Sequence, residues 1–172
     1  DGDFDVFLAN YGTNQLYENR GDGRFRDISA GSGLEDHAWS VSASFADING
    51  DGLTDLYVAN YVDFTPTNHK ACRDNFLRPS YCSPKQYRAT SDRLYVNMGN
   101  HTFRDATNMM GIHGQHGGAL GVIADDFNSD GQTDFYVAND PVDNLLWLNS
   151  GKDRFFNNAL LAGAAVNANG IS

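Results

Sequence analysis

Proline is scarce, 4 in 172 residues, and three of the four fall in one stretch, 62–90. Cysteine is scarcer still: Cys72 and Cys82, both in that same stretch. No apolar run approaches the roughly 20 residues needed to cross a bilayer as a helix, so no membrane span is expected. Basic residues are outnumbered, 12 Lys and Arg against 22 Asp and Glu, for a formal charge of −10. No Lys/Arg cluster interrupts that balance, which argues against nucleic acid as a partner. Apolar residues recurring at helical spacing are also missing, apart from a short turn of helix expected near 157–162. Residue 1 already lies within a motif, so a missing leader carries no information about export.

What the chain does have is glycine, 18 residues, and aromatics, 12%, within a hydrophobic content of 41%. That is a globular composition suited to short strands and tight turns. The two cysteines, ten residues apart in a polar loop, read either as a local disulfide, implying an oxidising compartment, or as two free thiols. Their placement favours the disulfide. A zinc site would need ligands beyond His69 and a CxxC spacing that is not there.

The sequence repeats itself. Asp51-Gly52-Leu53-Thr54-Asp55-Leu56-Tyr57-Val58-Ala59-Asn60 matches Asp130-Gly131-Gln132-Thr133-Asp134-Phe135-Tyr136-Val137-Ala138-Asn139, and both match residues 1–10. A second element is Asn14-Gln15-Leu16-Tyr17-Glu18-Asn19, with copies at 92–97 and 144–149. A third, Gly21-Asp22-Gly23-Arg24-Phe25-Arg26-Asp27, has copies beginning at Gly99 and Gly151. A fourth precedes each complete acidic loop, at 39–46 and 118–125. Four short strand-like runs per repeat of about fifty residues is the pattern of a β-propeller blade. The expected fold is therefore all-β, with about three blades of four antiparallel strands (repeats 1–46, 47–125 and 126–172). Three blades do not close a ring, so a piece of a longer chain is expected. The stretch 62–90 interrupts the middle copy as a loop excursion.

The acidic loops carry the chemistry. In Asp47-Ile48-Asn49-Gly50-Asp51-Gly52-Leu53-Thr54-Asp55, side-chain oxygens fall at positions 1, 3, 5 and 9. Gly52, at position 6, permits the sharp turn, and Leu53 would offer its carbonyl. The second copy uses Asp126, Asn128, Asp130 and Asp134, with Gln132 in the carbonyl place. The partial first loop keeps Asp1, Asp3 (as a carbonyl donor) and Asp5. An all-oxygen donor set with three carboxylates is what Ca²⁺ takes, whereas transition metals call for His or Cys. Two bound Ca²⁺ would bring the formal charge from −10 to −6, and a third to −4. An EF-hand needs Glu at position 12 and flanking helices; here that position is Val58 or Val137, within a strand-like run. The alternative is a set of Asx-turns holding no metal.

These motifs resemble the FG-GAP and VCBS repeats of integrin α-chain propellers and bacterial extracellular proteins. The LYxN–GDGxF continuation, Trp39-Ser40 and the Cys72…Tyr81-Cys82 insertion look like the narrower ASPIC/UnbV (cartilage acidic protein-like) group. The resemblance implies a Ca²⁺-stabilised propeller of about seven blades, of which this chain would be a fragment, extracellular, at the cell surface or periplasmic, serving adhesion or ligand binding. It points to the same ten loop residues as ligands.

Three function classes follow: a non-catalytic Ca²⁺-dependent module for a protein or glycan ligand, a structural protein self-associating through open blade edges, and the accessory propeller of a carbohydrate-active enzyme. The first is the expectation, with the 62–90 insertion as contact surface. No nucleophile elbow, HExxH or P-loop appears. His113 and His116 suggest a metal or haem site, but His116 shares its repeat position with His37, which explains it better. Asn100-His101-Thr102 is an acceptor sequon for N-glycosylation in a pathway that glycosylates.

Overall fold

A computed structural model of the chain describes residues 2–114, 117–151, 154–166 and 170. Asp1 and His116 lie outside the described residues.

The architecture is all-β and blade-like. Strands β1 (Val6–Leu8), β2 (Gln15–Asn19) and β3 (Phe25–Asp27) form one antiparallel sheet. β4 (Ser40–Ala46) and β5 (Asp55–Asn60) precede the insertion, which holds the two-residue strands β6 (Cys72–Arg73) and β7 (Pro79–Ser80). β8 (Arg93–Asn97) and β9 (Phe103–Asp105) then complete a sheet ordered β4-β5-β8-β9. β10 (Ala119–Asp125), β11 (Asp134–Asn139), β12 (Leu145–Asn149) and β13 (Phe155–Asn157) form the last, in sequential order.

The first sheet has three strands rather than the expected four, because the 39–46 element that ends repeat 1–46 pairs with β5 in the next sheet. The sheets are also out of phase with the sequence repeat. The strand before each acidic loop pairs with the strand after it, as in Ala46↔Asp55 and Asp125↔Asp134, so each loop is a hairpin inside one blade. Where a turn of helix is expected, 157–162, Asn157 ends β13 and the chain then turns without a helix; the Ala162 N–H reaches the Asn158 carbonyl at 2.9 Å, and Gly163 follows in the left-handed region.

β5 shows how sequence becomes packing. All six of its residues are buried. Strand alternation sends Leu56 and Val58 to one face, where they meet Leu16, Leu34 and Tyr95. Tyr57 and Ala59 go to the other, among Phe135, Val137 and Trp147. One strand therefore serves the cores on both sides of its blade. The junctions between blades are made by the turns after β3 and β9. The Phe103 N–H donates to the Ser32 carbonyl and the Phe155 N–H to the Met110 carbonyl, each at 2.7 Å. The next residues, Gly33 and Gly111, have positive φ, and a side chain on either would strike the Phe103 or Phe155 carbonyl.

The hairpin loops and the insertion leave opposite ends of β5. The acidic loop enters at Asp55, and the insertion departs after Asn60. Acidic loops and insertion thus sit on opposite faces of the blade stack. Among the described residues no helix is long and apolar enough to cross a membrane.

Candidate metal centres

Each acidic loop is wound by its own backbone. Asp47 Oδ1 accepts the Gly50 N–H at 2.8 Å, and Oδ2 accepts that of Gly52 at 2.9 Å. Asn49 Oδ1 takes the Asp51 N–H at 2.9 Å, and Asp51 Oδ1 takes the Leu53 N–H at 2.8 Å. The second loop repeats this. Asp126 accepts from Asp130 and Gly131 at 3.1 and 2.8 Å, Asn128 from Asp130 at 3.0 Å, and Asp130 from Gln132 at 2.9 Å. The αL residues that close the turns are Gly50 and Gly52 in one loop and Ser129 and Gly131 in the other.

The position-9 carboxylates do something else. Asp55 and Asp134 have no exposed surface. Asp55 Oδ2 takes the Ile48 N–H at 3.0 Å, and Oδ1 the Asn97 N–H at 2.8 Å. Asp134 takes those of Phe127 at 3.1 Å and Asn149 at 2.8 Å. The partial loop shares half of this, since Asp5 Oδ1 takes the Asn19 N–H at 2.8 Å. Each position-9 Asp thus pins the loop's second residue to the end of the neighbouring strand. Asn19, Asn97 and Asn149 carry no site signal in the sequence beyond closing each copy of the second element. Each also accepts the N–H of the glycine two residues on, at 2.9–3.0 Å.

Electrostatics divides the carboxylates in the same way. Burial pushes Asp55 above the ordinary carboxylate range against its two N–H bonds, and Asp51 and Asp47 add to the push. Asp134 is raised likewise, with Asp130 and Asp126 as the adding charges. Asp126 is held low, chiefly by the Gly131 N–H. For Asp47, partial burial works upward, but the N–H groups of Gly52, Gly50, Asn49 and Asp51 together hold it low.

The residues agree with Ca²⁺ in chemistry, since side-chain donors of each loop are carboxylates and an amide in a wound turn. They are not gathered into a ready cage: among the described residues no three Asp, Glu, His or Cys side chains form a metal-holding group. The amide of Asn49 faces Asp51 Oδ2 at 3.0 Å, and that of Asn128 faces Asp130 Oδ2 at 2.9 Å, closing the mouth of each loop. A cation would replace this amide contact, with the amide turned to offer its oxygen. Asp3 lies against Gly21.

The remaining sequence candidates separate. Cys72 and Cys82 form a disulfide, S–S 1.98 Å, inside the insertion. His113 is exposed, and His37 Nδ1 pairs with Thr13 Oγ1 at 3.3 Å. Asn100 is exposed in the β8–β9 turn.

Residues 1–58 match a family model, the FG-GAP-like repeat. The chain carries an FG-GAP-like repeat. The matched span of this repeat includes the partial loop and the whole of the loop from Asp47 to Asp55. Cartilage acidic protein 1 of Homo sapiens is similar: 41% identical over 59 residues, or 33% of this chain and 9% of that protein. The chain thus spans less than a tenth of that relative's length. Both findings support the FG-GAP and cartilage acidic protein-like resemblance of the repeat.

Proposed function

We propose that this chain is an extracellular FG-GAP-like repeat module whose two complete acidic loops take Ca²⁺, and which binds a protein or glycan partner without catalysing a reaction. The observation that supports it most is the duplication of one loop. Two stretches 79 positions apart wind the same Asp, Asn and Asp oxygens toward one turn with matching hydrogen bonds. Asp47, Asn49, Asp51 and Asp55 would hold one ion with the Leu53 carbonyl, and Asp126, Asn128, Asp130 and Asp134 the other with that of Gln132. The ion would offset the neighbouring negative charges that, with burial, push Asp55 and Asp134 upward. The disulfide agrees with an oxidising compartment.

The test is thermal unfolding of the full-length protein with EDTA and then with millimolar Ca²⁺, alongside elemental analysis. Ligand at a hundred times Kd stabilises by about 2.7 kcal/mol per site. A rise in Tm with Ca²⁺ that shrinks in Asp51→Ala and Asp130→Ala is the expected result. An unchanged Tm with no bound metal would reduce the loops to Asx-turns.

A further inference from the structure

The insertion folds back on the blade and with it lines an open cavity of about 610 Å³. That size lies within the range of small-molecule sites, roughly 300–1,000 Å³. The floor is Trp39 and Tyr61, ring centroids 5.3 Å apart and edge to face. Phe64 stands beside them, 5.8 Å from Trp39 and 5.6 Å from Tyr87. His69 packs on Phe64 at 5.9 Å, and Tyr81, fully exposed, stands at the mouth. Cys82 lines the wall, so the disulfide ties that wall to Cys72 within the insertion.

Two features define what fits. The walls offer aromatic faces and few free polar groups. The Tyr61 hydroxyl already donates to Asp140 at 3.0 Å, and the Tyr87 oxygen already accepts the Lys70 N–H at 3.3 Å. A sugar would leave most of its hydroxyls unpaired there, at a cost for each one buried. A flat apolar ring suits such walls.

The second feature is charge. The stretch 62–90 carries five of the chain's 12 basic residues and only two of its 22 acidic ones, a net of +3, while the remainder of the chain carries −13. Lys70 Nζ sits 5.3 Å from the centre of the Tyr87 ring and donates to the Gln86 carbonyl; Lys85 and Arg88 flank that segment, exposed. Two carboxylates also stand beside the lining residues: Asp140 accepts the Tyr61 hydroxyl at 3.0 Å, and Asp63 accepts the Arg88 backbone N–H at 2.9 Å.

We infer that this cavity is a binding site for a small ring-bearing organic anion, an aromatic or alicyclic carboxylate or sulfonate, with its ring on the Trp39, Phe64 and Tyr87 faces and its charge toward Lys70, which is not itself a lining residue but lies over the ring of the lining Tyr87. This site shares the insertion with the proposed interaction surface but stands independently of whether the loops on the opposite face take Ca²⁺.

The experiment is calorimetric titration of the full-length protein with 1-naphthoate, 1-naphthalenemethanol and 1-naphthylmethylammonium, in EDTA. Naphthoate should bind saturably and at least three-fold more tightly than the neutral alcohol. Tyr81→Ala, at the exposed mouth, should weaken it about three-fold, and Tyr87→Ala ten-fold or more. Lys70→Gln should erase the preference for naphthoate over the alcohol. Absence of saturable naphthoate binding to the wild-type protein would overturn the inference. So would tighter binding of the ammonium, which would make the aromatic walls a cation cage, or naphthoate affinity unmoved by both Tyr81→Ala and Tyr87→Ala.

Discussion

In the third blade Asn144 Oδ1 accepts the Asn139 N–H at 2.9 Å; in the second, Asp92 holds the same place and accepts the Asn60 N–H at 2.8 Å. The first blade uses an amide as the third does, with Asn14 taking the Asn10 N–H at 2.9 Å. The carboxylate is therefore a variation of the second blade, and its surroundings show the reason. Its other oxygen accepts the Tyr57 hydroxyl at 2.8 Å, whereas the matching Tyr136 donates to the Ala164 carbonyl at 3.1 Å. Tyr57 lies wholly inside the core between two blades, where its hydroxyl needs a partner. The carboxylate supplies that acceptor but is itself buried, and burial raises its pKa to about 7. A repeat architecture keeps its skeleton and lets single positions answer to the particular neighbour across the junction.

The largest effect should come from breaking what the blades have in common. Asp55→Ala removes the acceptor of the Ile48 and Asn97 N–H groups in a buried setting. About 3 kcal/mol or more of stability should be lost in denaturant titrations in EDTA. Asp51→Ala, at the exposed rim of the same loop, should cost no more than about 0.5 kcal/mol there. Equal losses would mean that position 9 is not the anchor.

The next effect probes the junctions. Gly33→Ala and Gly111→Ala combine a left-handed backbone with a methyl driven into the Phe103 or Phe155 carbonyl, and should cost roughly 2–3 kcal/mol each. Gly163 occupies the matching turn after β13, has φ 69°, and has nothing within 4 Å of an added Cβ. Gly163→Ala should therefore show the backbone part alone, about 1 kcal/mol.

The smallest effect sharpens the comparison itself. A folded pKa raised above the unfolded one means that the native state holds the proton more tightly. Asp92 therefore lowers stability as pH rises from about 3.8 toward about 7. Asp92→Asn, which restores the amide of the other two blades, should raise stability by about 1–2 kcal/mol at pH 8 and leave no gain at pH 3.5. A pH-independent gain would assign the effect to packing.

Much of this was legible in the chain because the repeated residues are the ones that tie the blade together. Asn10, Asn60 and Asn139 close the first element, and Asp5, Asp55 and Asp134 open its strand; each recurs because each makes the same bond. The all-β class, the strands and the Cys72–Cys82 disulfide followed from spacing and alternation. The phase of the blades did not, since a repeat fixes a period and not where a sheet begins; only pairing of β4 with β5 sets that. The aromatic cavity was hidden as well. Trp39, Tyr61, Phe64 and Tyr87 share no spacing, and they meet only because the disulfide-held insertion returns to the blade. The reach of Asp55 to Asn97, across 42 positions, had no local signal beyond the recurrence of the Asn.

The opposition of hairpin loops and insertion across β5 has an electrical consequence. Carboxylates crowd one pole, and a patch of net +3 occupies the other, so the chain has a permanent dipole along its strands. At low ionic strength such a body turns before it touches. A polyanionic surface repels the chain's formal −10 as a whole, but the torque it exerts would turn the insertion forward and the acidic loops away. Added salt should abolish that preference once the screening length falls to about 8 Å. Orientation at a charged surface is thus set by which end of β5 each connection leaves.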